Sequence, residues 1–375
     1  MSVSVKLLIM SSLRNIVVAL MASVMLLACS GQKDSGALPA LRADRNVLDL
    51  ASHDRITFKV TLDGSDVTAE SIINNGTDLL SGGVFMPQES GLYTFTADFA
   101  GRVSEPVTVK VYNSKPQVES PFRKHVCVTE FTGAWCINCP EGYDDMWGIL
   151  SKPTMKKYED RIEFLAFHSN VEGTDTLGIS NTGDVKALFP AANAFPSFAV
   201  DFRKSASGLL AGEGLSLFSD SIADAFDNEK HPVCCGVSLS STVSADGKKA
   251  DITVKVKTDY TNPYSLVLLI VQNRIKGYQK TELYPEGTGE YIHNHVVRKV
   301  VTSYAGKFAG EDITEDGFVK AGEEAVKTFS VDVDSKWVLE NTKVYALVMD
   351  CNDEMNNLNA CPIVDGNSDY DYKQN

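Results

Sequence analysis

Two cysteines two residues apart, in Trp135-Cys136-Ile137-Asn138-Cys139-Pro140, are the residues of this chain best spaced for chemistry. A largely apolar run from Val126 to Phe131 leads into them, and Tyr143, Met146, Trp147 and Leu150 follow at helical spacing. The pattern predicts a buried strand, a turn, and a helix that opens near Cys139. At a helix N-terminus the first thiolate meets unpaired N–H groups and the positive end of the macrodipole, which lowers its pKa. The thiolate is the nucleophile of disulfide exchange. Cys136 is therefore expected to attack and Cys139 to resolve. A zinc site would want four ligands, and this single pair has no matching histidine pair beside it. A purely structural disulfide stays open, because a fold can keep such a pair without turnover.

This stretch resembles the thioredoxin superfamily, and the resemblance implies roles for two more residues. Glu130, six residues before Cys136, falls where the superfamily keeps a buried carboxylate that helps deprotonate the resolving cysteine. It could equally be a strand carboxylate facing a lysine. Pro196, in Phe195-Pro196-Ser197-Phe198, falls where a cis-proline stands beside the disulfide. Such a bond is accessible, since cis X-Pro costs only about 0.5–1 kcal/mol over trans. Ile137 and Asn138 depart from the proline or glycine of many reducing members, so the direction of electron flow does not follow. Pro140 comes after the pair instead, a favourable residue for a first helical turn.

A wider resemblance rests on Val128-Thr129-Glu130-Phe131-Thr132-Gly133, on Cys139-Pro140, and on Tyr291-Ile292-His293-Asn294-His295-Val296-Val297-Arg298. Together these look like the thioredoxin-like lipoproteins related to the twenty-eight-kilodalton outer membrane protein of anaerobic Gram-negative bacteria. The resemblance covers roughly Phe122 to the C-terminus. It implies a thioredoxin-like domain joined to a C-terminal β domain, and it brings no settled reaction. On a strand, His293 and His295 would share one face, where hydrogen bonding at a packed edge is favoured over metal or substrate contact. His168 ends a predicted strand, and loop solvation is favoured over a place facing the cysteines. His53 and His125 have no partner evident in the sequence.

The elements that must position this site divide the chain. Lys6 and Arg14 precede an apolar run from Ile16 to Leu27. The run is about a dozen residues, short of the roughly 20 that cross a bilayer. It reads as a secretory leader ending in Leu26-Leu27-Ala28-Cys29, which matches the lipobox of bacterial lipoproteins. That resemblance implies cleavage after residue 28, lipid on Cys29, and a flexible tether over 29–40. Residues 41–115 read as an Ig-like β-sandwich. Ile56, Phe58, Val60 and Leu62 alternate, Asp63-Gly64 turns, and Gly91-Leu92-Tyr93-Thr94-Phe95 resembles a tyrosine corner. Asn113 to Pro116 reads as a linker. Residues 121–230 are expected to form the thioredoxin-like α/β domain, with strands at Ile162 to Phe167 and Phe198 to Val200 and a helix over 211–226. Residues 231–375 are expected to form a second β-sandwich. The expected fold class is thus multidomain, α/β plus all-β.

Formal charge is −14, or −16 once Lys6 and Arg14 leave with the leader, which argues against nucleic acid and against adsorption to anionic lipid. Cys351 and Cys361 flank a polar loop and are the candidate structural disulfide. Cys234 and Cys235 are adjacent and should not bond each other. Cys127, in a buried strand, is expected to be an inert thiol. The sequence thus predicts a lipid-anchored protein of the cell envelope, at the outer membrane, exchanging with thiols or disulfides of exported proteins. No metal or cofactor is expected, and membrane contact would run through the N-terminal lipid only. The other reading is a non-catalytic surface or periplasmic binding or adhesion lipoprotein, its Cys136–Cys139 pair a structural disulfide.

Overall fold

A computed structural model describes residues 36–80, 82–170, 175–209, 214–282, 286–302 and 310–374. The leader, Cys29 and the first part of the tether lie outside them.

Residues 40–112 form two sheets around one core. Ala40–Ala43, Ile56–Leu62 and Ser65–Asp66 make the first, with Val84–Phe85 also paired to Ile56–Leu62. Val47–Asp49, Val107–Tyr112, Gly91–Phe99, Ile72–Asn74 and Leu79–Leu80 make the second, with Arg102–Val103 on Gly91–Phe99. Ile56, Phe58 and Val60 all point inward and meet Phe95, Val109 and Val111, as their period of two requires. Asp63 and Gly64 both take positive φ (49° and 83°), the geometry that matches a two-residue hairpin to strand twist. The Tyr93 hydroxyl donates to Glu89 O at 2.8 Å.

The expected linker is pinned rather than free. Asn113 N donates to Asn262 Oδ1 at 2.9 Å, and Asn262 Nδ2 returns a bond to Asn113 O at 2.9 Å. The Ser114 hydroxyl donates to the Asp49 carboxylate at 2.6 Å.

Beyond it the expected fold class fails. Strands dominate, and the described residues contain three α-helices, Cys139–Leu150, Thr182–Ala187 and Gly214–Ala225. The strands of 121–230 do not close into an α/β domain of thioredoxin type. They run on into a nine-stranded sheet shared with the C-terminal segment. Val126–Thr132 lies parallel to Ile162–His168 and antiparallel to Ser197–Val200, which pairs Ser207–Leu209. Ile162–His168 then pairs Val296–Val300 through Ala166 opposite Val296, with Ala166 N donating to His295 O at 2.8 Å. Ser265–Gln272, Thr342–Met349 and Met355–Pro362 continue the order, and Glu311–Asp312 pairs the end of Ser265–Gln272. The physical reason is edge satisfaction: a strand inside a core must pair its polar backbone on both sides.

The same sharing removes an independent C-terminal sandwich. Glu324–Asp332, Lys249–Thr258, Cys235–Val243 and Gly366–Ser368 form a four-stranded sheet whose core faces the shared sheet. Leu266, Leu268 and Ile270 fill that core, while Val267, Leu269 and Val271 fill another on the opposite face. Met146, Ile149, Phe218 and Ile222 bring two helices onto Val126, Val128, Phe164 and Phe198.

Candidate functional site

Val126–Thr132 is buried along its whole length. By strand alternation Glu130 shares the face of Val126 and Val128, the face that the helices cover. The chain then turns through Cys136, whose N–H donates to Gly133 O at 3.0 Å, and enters the helix Cys139–Leu150 with Pro140 in its first turn. Cys136 and Cys139 are disulfide-bonded, Cα atoms 5.5 Å apart, and both are buried, Cys136 6% exposed and Cys139 2%. Phe195–Pro196 is a cis peptide, and the Pro196 ring packs on the helix at Gly142. A Cβ on Gly142 would stand 2.4 Å from Pro196 Cγ, so no larger residue fits without movement. Cys136, Cys139, Glu130 and Pro196 thus gather at one place.

Glu130 is 2% exposed, and its Oε1 has no hydrogen-bond partner. No lysine or arginine pairs with it among the described residues. Burial pushes its carboxyl up to about 8, with the Thr132 side chain opposing. It therefore stays largely protonated at neutral pH. It opens on a cavity of about 20 Å³ lined also by Cys139, Tyr143, His168, Gln279, Tyr291 and His293.

Two of these, His168 and His293, differ from what the sequence predicts. His168 is not a solvated loop residue but is 3% exposed, its Nδ1 2.8 Å from Asp175 Oδ2. Asp175 also accepts from Ala134 N at 2.7 Å and from Leu177 N at 2.9 Å. Burial opposes its ionisation, but His168 and these N–H groups hold its carboxyl below the usual range. His293 ends the strand Thr288–His293, with Nε2 3.0 Å from Tyr278 O. Burial, then the neighbouring His168, push it down to about 4. The His168 and His293 ring centroids are 5.1 Å apart. His293 and His295 do not share a strand face. The strand stops at His293, His295 takes φ 58°, and its ring packs on Trp147 and Phe164.

A hairpin of Ile275–Gln279 and Thr288–His293 covers the turn before the disulfide helix. Gln279 Nε2 donates to Cys136 O at 3.0 Å and Gly133 O at 3.3 Å, and Lys280 N donates to Ala134 O at 2.8 Å. Trp135 Nε1 donates to Ser169 O at 2.7 Å.

The candidate bridge Cys351–Cys361 is not formed, and both are free thiols. Cys351 lies in the turn between two paired strands, whereas Cys361 sits six residues along the second from Met355. That run spans roughly 20 Å, where a disulfide needs Cα atoms within about 7 Å. Cys127, Cys234 and Cys235 are buried and free, and burial raises all three thiol pKa values. A larger crevice, about 270 Å³, lies where residues 113–117, 229–232, 350–352 and 354–356 meet. On its wall Lys124 Nζ reaches Asp201 Oδ2, Met355 O and Asn356 O at 2.6–3.2 Å, so its donors are filled. No group of three or more His, Cys, Asp or Glu among the described residues is arranged to hold a metal ion. No described helix is long and apolar enough to cross a membrane.

Residues 217–363 match the family described as Outer membrane protein Omp28. The match begins after the disulfide, and it bears out the outer-membrane location in the cell envelope that the sequence predicts. Among solved structures, HBP35 of Porphyromonas gingivalis is similar in fold, with a TM-score of 0.50 and 20% identity over 65% of this chain and 77% of that one. Surface layer protein SbsC, domains 4–9, aligns with a TM-score of only 0.23, at 10% identity over 88% of this chain and 51% of that one. A search of the curated proteins found no match.

Proposed function

We propose that this chain is an outer-membrane protein, lipid-anchored at Cys29, whose Cys136–Cys139 site exchanges with thiols or disulfides of exported proteins. The observation that carries the reaction is Glu130. An uncompensated carboxyl inside a core costs stability, and a disulfide that merely staples a turn needs no acid behind it. A departing Cys139 thiolate does need a proton. Glu130, protonated near neutrality and opening on the same cavity as Cys139, is suited to give one. Cys136 is the sulfur attacked or attacking, and Pro196 shapes the surface beside it.

The second reading is a non-catalytic binding protein whose disulfide is structural, and the comparisons by themselves support it better than any reaction. It is favoured by the hairpin, which clamps Gly133, Ala134 and Cys136 and leaves Cys136 little exposed. Insulin reduction by the full chain, together with opening of its disulfide by dithiothreitol, separates the two. Turnover lost in Cys136→Ser is the expected result. A disulfide that stays closed in the folded chain, with no insulin reduction, leaves the binding reading. Mass analysis of the mature chain from membranes tests lipid at Cys29.

A further inference from the structure

The exchange reading leaves Glu130 without a source for the proton it gives up. Around it, from every element that lines the cavity, stand Cys139 and Tyr143 on the helix, Thr132 and His168 at strand ends, and Tyr291 and His293 on the hairpin. Of these, the two imidazoles have their protonation geometry fixed by partners. His168 Nδ1 faces the Asp175 carboxylate and so carries a hydrogen, which makes Nε2 its exchangeable nitrogen. His293 Nε2 faces a carbonyl, Tyr278 O, and is committed as a donor there. The two differ in counter-ion. His168 has the Asp175 carboxylate against it, 0% exposed at the side chain. His293 has none, and burial keeps it neutral.

We infer that His168, held by Asp175, is a positioning and proton-supply residue for Glu130, so that Asp175, His168 and Glu130 form a buried proton path to Cys139. The inference rests on the exchange reading and extends it. An exported dithiol supplies the electrons. Its thiolate attacks Cys136 Sγ, the Cys136–Cys139 bond breaks, and Cys139 leaves with the electron pair. Glu130 transfers its proton to the Cys139 thiolate, and the proton that the substrate thiol released to solvent returns through His168 to the Glu130 carboxylate. The second thiol of the substrate then attacks the mixed disulfide and releases Cys136. The substrate ends as a disulfide, and this site is reduced by two electrons. In reverse, each proton retraces its step.

The test is the rate at which dithiothreitol opens the disulfide of the full chain from about pH 5 to pH 9, read by alkylation and mass. Glu130→Gln should slow opening roughly 10²-fold near neutrality. His168→Gln, which keeps a donor for Asp175, should slow it at least roughly tenfold and displace the pH profile, and the double variant should be no slower than Glu130→Gln. Asp175→Asn should displace the profile in the same sense, which keeps the test in hand if His168→Gln folds poorly. A His168→Gln profile that superimposes on the parent while Glu130→Gln is slow overturns the path and leaves the exchange reading standing. Parent-like rates in both variants, with no insulin reduction, overturn the exchange reading itself.

Discussion

Val126–Thr132 and Ser265–Gln272 lie in the same sheet and are buried almost end to end, yet they are spent differently. Ser265–Gln272 sends aliphatic side chains alternately into two cores and has no ionisable residue. Val126–Thr132 does the same at Val126, Val128, Cys127 and Phe131, but places Glu130 on the helix-covered face with an oxygen unpartnered. One strand is composed for cohesion alone. The other gives up cohesion at one position, beside a disulfide. Burial alone therefore does not distinguish the two strands; an unpartnered ionisable group within one of them does.

The comparison breaks most visibly at Leu268. Leu268→Ala should lower unfolding stability by about 2–5 kcal/mol, seen in denaturant titration, with the disulfide's opening rate in the folded chain unchanged. Glu130→Gln should act in the opposite sense, and only in one pH window. The folded carboxyl ionises at about 8 against an ordinary 4.5, so the unfolded chain loses this proton first as pH rises. Stability should fall between pH 4.5 and 8, by a few kcal/mol in order of magnitude, and Glu130→Gln should flatten that decline in pH-dependent denaturation. A decline of equal slope in the variant would remove Glu130 as its cause. Gly142→Ala gains helix propensity but drives a methyl into Pro196, and the clash should win by about 1–3 kcal/mol, measured by thermal unfolding. The smallest effect is expected at the cover. Gln279→Ala removes the bonds to Gly133 O and Cys136 O, about 0.5–1.5 kcal/mol each, and should speed dithiothreitol opening several-fold.

What the sequence revealed follows the range of the forces involved. The Val126 strand, the helix after Cys139, the strand at Phe198 to Val200 and the Asp63-Gly64 turn depend on neighbours within a few residues, and each is where its pattern predicts. The grouping of Glu130 and Pro196 with the cysteines followed from a resemblance. The pairing of Ala166 with Val296 joins residues 130 apart and leaves no local signature, so the sequence pattern separates residues 121–230 from 231–375. The burial of His168 is hidden for the same reason. Its partner Asp175 is near in sequence, but the hairpin and the cavity that bury it come from elsewhere. Cys351 and Cys361 looked like a small loop because spacing does not reveal that the intervening residues are extended. The run Tyr291 to His295 was noticeable, but its place over the disulfide turn was not.

The shared sheet has a consequence for how this protein can be divided. A fragment ending at residue 230 would carry the disulfide, all three described α-helices and Glu130, yet it would bare the inner edge of Ile162–His168 and lose the Gln279 cover. An apolar strand with an open backbone edge invites pairing with its own copies. The reactive-looking segment is therefore not a detachable cassette. Recombination or truncation at the apparent boundary would yield aggregation rather than a smaller working unit, and the two halves must be inherited and secreted together.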